Sequence, residues 1–101
     1  MSKELLAAMT AAGTSDEFEM HLDRHFASSI SAGGLVGSET VTLEYYDGTT
    51  WRDYYQDGES TPEQVTETNS MVTIYAPCRW RATKSVTAAA VAIMLHTKRN
   101  P

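Results

Sequence analysis

From residue 17 onward the hydrophobic period is two. In "EFEMHL" Phe18, Met20 and Leu22 alternate with Glu19 and His21, and "HFASSI" carries the run on until the glycines of "SAGGLVG" break it. "ETVTLEYY" sets Val41, Leu43 and Tyr45 on one face and Thr40, Thr42, Glu44 and Tyr46 on the other, the clearest strand in the chain. The Asp47-Gly48 pair that follows predicts a hairpin, because glycine accepts the positive φ of such turns, so "WRDYYQ" should return antiparallel. Beyond the turn "DGESTP" come "EQVTET", "MVTIYA", "CRWRATK" after Pro77, and "VAIMLHT" with Val91, Ile93 and Leu95 facing together. Seven or eight short antiparallel strands with polar turns predict an all-β fold, a β-sandwich or small jelly roll, over residues 17–101. The expected core is Phe18, Met20, Leu22, Val41, Leu43, Trp51, Val72, Ile74, Trp80, Ala82, Val91, Ile93 and Leu95.

Residues 1–16 read differently. "SKELLAAMTAA" spaces Leu5, Leu6 and Met9 as one face of a helix, with Ser2 as a possible N-cap and Gly13 as a stop. A helix this short is marginal in water, so a short helix or a mobile arm is expected to order only against the domain or a neighbouring subunit. Leu5, Leu6 and Met9 are therefore candidate docking residues. At 101 residues the chain holds one core of modest size, which makes self-association a natural source of further burial.

Eight Lys and Arg against 13 Asp and Glu give a formal charge of −5, which argues against nucleic acid as a partner. Arg79 and Arg81 flank Trp80, and Lys98 and Arg99 sit near the end, but four charges make a weak patch. The single cysteine, Cys78, excludes an intrachain disulfide and points to folding in the cytoplasm, with a buried, inert thiol expected. "MSKELLAAMTAAG" lacks the apolar core of a signal peptide, and "VTAAAVAIMLHT" is too short to span a bilayer, so no membrane partner is expected.

Five rings crowd into "LEYYDGTTWRDYY", residues 43–55. Alternation divides them between two faces, with Trp51 expected in the core and Tyr46 and Tyr54 outside. Outward tyrosines beside Asp47, Asp53 and Asp57 would suit a glycan platform, and equally a protein interface. His21, Asp23 and His25 share one side of a strand, as metal ligands might, yet ligands in line on one strand seldom enclose a cation. No nucleophile elbow or activated nucleophile is evident, so no catalytic residue, metal or cofactor is assigned.

The order "GLVGSETVTLEYYDGTTWRDYYQDG" followed by "VTIYAPCRWRATKSVTAAAVAIMLH" resembles small β-sandwich virion proteins of tailed bacteriophages. In that group a "GGExVTLxxxxDGxTW" hairpin precedes a "VTIxGPGxYRxxKPxTxxAVGV" ending. The similarity spans roughly residues 33–96. Ala76 and Cys78 replace turn glycines, and Ser85 and Val86 stand where a Lys-Pro step belongs. The resemblance implies a non-enzymatic virion structural protein: a capsid decoration (cement) protein on the capsid surface, bound to the major capsid protein. The alternatives are a head-tail connector or tail protein, or a carbohydrate-binding module using the outward tyrosines. Residues 2–12 would serve as a grafting arm, and Tyr46 and Tyr54 as further contacts.

Overall fold

The computed structural model describes residues 2–20, 25–56, 58–74 and 78–99. Among the described residues ten strands follow one another: β1 (Ser2–Met9), β2 (Gly13–Thr14), β3 (Phe18–Met20), β4 (His25–Ser31), β5 (Val41–Tyr46), β6 (Trp51–Asp53), β7 (Gln64–Val65), β8 (Met71–Ile74), β9 (Cys78–Lys84) and β10 (Val91–Arg99). They form two antiparallel sheets packed face to face as a small β-sandwich. One sheet runs β1-β10-β4-β8; the other runs β2-β9-β5-β6, with β3 also on β9 and β7 also on β5. The second sheet is thus four strands wide, each of its edges shared by two short segments.

Period-two alternation places most of the core as expected. Val41, Leu43, Trp80 and Ala82 from the second sheet meet Ile30, Val72, Ile74, Val91, Ile93 and Leu95 from the first, all buried. Phe18 closes one edge and Val65 the other. The chain changes sheet at β1–β2, β3–β4, β4–β5, β7–β8, β8–β9 and β9–β10, so most loops tie one layer to the other. Ser85, in place of the proline step, donates its N–H to the Thr40 carbonyl and accepts the Thr40 N–H on its hydroxyl, both at 3.0 Å. A proline could not donate there.

Residues 2–12 are neither helix nor free arm. Ser2–Met9 pairs with β10 as an edge strand, and Leu5, 2% exposed, is part of the core. Two register shifts, at Glu4/Leu6 and Leu6/Met9, explain the false helical spacing: the bulges let Leu5 and Leu6 both turn toward the interior, which strict alternation forbids. The connection to β2 is pinned from below. Lys84, 3% exposed, donates its ammonium to the carbonyls of Ala11 (2.8 Å) and Ser85 (3.0 Å), and the Thr87 N–H bonds the Thr10 carbonyl at 2.9 Å.

The aromatic hairpin also differs in one respect. Gly48, φ 103°, supplies the positive-φ residue of the turn, but the loop holds four residues, so Tyr46 pairs with Trp51. That parity puts Trp51 outside with Tyr46 and sends Tyr54 inside with Tyr45. Tyr45, Tyr54 and Trp80 meet edge to face at 5.1–6.2 Å, packed on the core. Trp51 is half-buried on the outer face instead of plugging the core. Leu22, the Ala76-Pro77 step, Asp57 and, of the polar row, His21 and Asp23 lie outside the described residues, as do the side chains of Met20 and His25.

Candidate interaction face and edge groove

The outer face of the second sheet is built by alternation along β9. Trp80, Ala82 and Lys84 point inward, so Arg79, Arg81 and Thr83 point out. Register sets their neighbours: Glu19 lies beside Arg79, and Glu44 lies between Arg81 and Asp53. Arg79 bonds Glu19 at 3.5 Å and lies 3.8 Å from Glu17, with its guanidinium carbon 5.6 Å from the centre of the Tyr46 ring. Arg81 bonds Glu44 at 2.7 Å and stacks over Trp51 at 4.3 Å. Tyr46 and Trp51 touch at 5.3 Å.

These contacts differ in weight. The Glu17 and Glu19 pairs with Arg79 are about half exposed, where an ion pair contributes ~0–1 kcal/mol. Arg81 and Glu44, 26% and 14% exposed, are better shielded, and a guanidinium over an indole adds about 0.5–1 kcal/mol. The main consequence is order: both guanidiniums and both rings are held in one arrangement on a rigid ladder. Cys78 begins the same strand, half-buried and not fully buried as expected, its thiol donating to the Tyr46 carbonyl at 3.5 Å.

Asp47 organises the hairpin end. One carboxylate oxygen accepts the N–H groups of Thr49 (2.9 Å) and Thr50 (2.8 Å) and the Thr49 hydroxyl (3.0 Å); the other accepts from the Thr50 hydroxyl (3.3 Å) and Arg52 Nε. The Thr50 N–H foremost, then Arg52 and the Thr49 N–H, hold this carboxyl well below the usual carboxylate range, and the same pair raises the Arg52 pKa. Past Asp53 the chain leaves β5. The Tyr54 N–H still bonds the Leu43 carbonyl (3.0 Å), while Glu63 returns to Tyr54 (2.8 Å) and to the Leu43 N–H (2.9 Å). The described residues between Tyr54 and Glu63 are therefore an excursion, and at its foot Tyr45, Trp51, Arg52, Asp53 and Tyr55 line an open groove of about 570 Å³ along β6.

The opposite sheet presents hydroxyls. His96 is hydrogen-bonded at both ring nitrogens, to Ser2 and to Ser31, each at 2.8 Å, and Ser29 meets Thr73 at 3.1 Å. Among the described residues no three His, Cys, Asp or Glu side chains converge as a metal site. No described helix is long and apolar enough to cross a membrane.

Of the five residues singled out from sequence, only Tyr46 stands on this outer face. Tyr54 packs against the core on the other side of the sheet, so the two tyrosines form no common platform. Leu5 is core, Leu6 packs on it half-buried, and Met9 ends β1 half-buried beside Gly13. The face itself adds Trp51, Arg79 and Arg81. The signal for the arginines was the alternation in "CRWRATK": an inward Trp80 demands outward neighbours. Comparison with protein-family models, curated proteins and solved structures finds no match for this chain.

Proposed function

We propose that this chain is a structural protein of a tailed-phage particle, a capsid decoration protein that binds the major capsid protein and its own copies and stabilises the head. The observation that carries the reading is the cluster of Tyr46, Trp51, Arg79 and Arg81 on the outer face of the second sheet. Tryptophan, tyrosine and arginine dominate the energetics of protein interfaces, and side chains already ordered lose little freedom on docking. The resemblance of residues 33–96 to phage virion sandwiches points the same way. A two-layer body with short turns suits a part that must hold its shape at many equivalent sites.

In this reading the protein folds in the host cytoplasm, works on the capsid surface and performs no chemistry. It needs no cofactor and neither nucleic acid nor membrane. Docking belongs to the sheet face and not to residues 2–12, which are committed to the protein's own fold. Attachment is weak per copy and strong when copies are clustered, because each contact raises the effective concentration of the next.

The test is co-sedimentation of purified protein with heads assembled without it, together with the temperature at which those heads disrupt. Wild type should co-sediment and raise that temperature. Combining Trp51→Ala with Arg81→Ala should weaken attachment about tenfold or more, with the circular-dichroism spectrum unchanged. Binding to tails or connectors but not heads would move the protein to the head-tail connector or tail class. Failure to bind any particle would end the virion reading.

A further inference from the structure

The groove along β6 lies around the sheet edge from the arginine face and has its own chemistry. Its walls are rings held in place. Tyr45 is locked edge-on against Tyr54 and Trp80, both at 6.2 Å, and Trp51 is backed by Arg81 and Tyr46. Tyr55, 48% exposed, stands at the open side. Its polar lining is a donor, Arg52, and an acceptor, Asp53, from successive positions of the edge strand. Arg52 spends Nε on Asp47, which fixes the guanidinium and leaves its outer nitrogens without a partner among the described residues. The exposed Asp53 carboxylate likewise has none there.

We infer that this groove binds a neutral saccharide. Pyranose C–H faces pack on aromatic rings, and sugar hydroxyls donate to a carboxylate, here Asp53, and accept from a guanidinium, here Arg52. The volume, about 570 Å³, falls within the range of about 300–1,000 Å³ typical of small-ligand sites. Asp47 neutralises Arg52, so Asp53 leaves the groove with a net negative charge that disfavours sialylated or other acidic sugars. An extended peptide added to the edge would find only three residues of β6 to pair with, too few for a strand-addition site to depend on. The sugar site differs from the Tyr46 and Tyr54 pair expected from sequence: it uses the other side of Trp51 and the residue after Tyr54.

The inference is tested by titrating ¹⁵N-labelled protein with maltose, lactose and cellobiose through the millimolar range, beside an array of neutral and acidic glycans and a basic, valine-rich extended peptide. At least one neutral saccharide should give saturable shifts of the Trp51 indole N–H and the Arg52 Nε–H. Tyr55→Ala and Asp53→Asn, both at exposed positions, should each weaken binding about tenfold, while Arg79→Ala leaves it unchanged. No saturable response to any neutral saccharide overturns the proposal. So does binding confined to acidic glycans or to the peptide, or binding that Tyr55→Ala and Asp53→Asn leave intact. The same two variants should attach to heads like wild type, so loss of the sugar site leaves the docking reading standing; Arg79→Ala, which spares the groove, tests docking alone.

Discussion

Asp47 and Lys84 show how single side chains close the two ends of the sandwich. Asp47 gathers two backbone N–H groups, two hydroxyls and Arg52 around one carboxylate. Its depressed pKa means the stabilisation is complete above the ordinary carboxylate value, about 4, and is lost as pH falls below it. Urea midpoints should therefore decline below about pH 4 more steeply for wild type than for Asp47→Asn. Parallel declines would show that the hub adds nothing to folding. At the other end Lys84 is buried, and its ammonium supplies the donors for Ala11 and Ser85. Lys84→Ala removes those donors and opens a void, which should cost about 2–4 kcal/mol by denaturant unfolding. A cost within about 0.5 kcal/mol, usual for exposed sites, would contradict the clamp.

At the scale of elements, the decisive feature is that β1 belongs to the sheet. Its ladder with β10 and the burial of Leu5 make residues 2–9 part of the cooperative unit. Leu5→Ala should lose about 2–5 kcal/mol. Deleting residues 2–9 should expose the edge of β10 and unfold or aggregate the domain, read as loss of a cooperative thermal transition. A deletion that keeps a sharp transition and loses only head attachment would restore the arm picture. The hairpin teaches a related lesson: its position was legible from Asp47-Gly48, its parity was not. Across the four-residue loop Trp51 falls opposite Tyr46, which exchanges the expected faces of Trp51 and Tyr54, and with them the residues available for binding.

For the whole molecule, two sheets with opposite outer surfaces give a body with distinct sides. One carries stacked arginines, rings and carboxylates; the other carries serines, Thr73 and a doubly bonded His96. With a formal charge of −5, approach to an acidic partner is opposed at long range, so docking should depend on the local cluster and be strengthened by moderate salt. Head attachment that falls steeply with added salt would instead point to ion pairing as its main source. The sandwich, the two inner faces and most of the core, from Val41 and Leu43 to Trp80 and Ile93, were readable because alternation is a local property that burial on one face enforces. Tyr46 was readable for the same reason.

By itself, the sequence determined the two-residue alternation of residues 17–96 and where the chain turns at Asp47-Gly48. Tertiary structure decided the rest. Bulges in β1 turned two adjacent leucines inward, loop parity exchanged Trp51 and Tyr54, and β6 and β7 shared one edge of β5, opening a groove at the excursion between them. Each of these depends on how one strand registers against another, and register is a relation between distant residues that no local pattern contains.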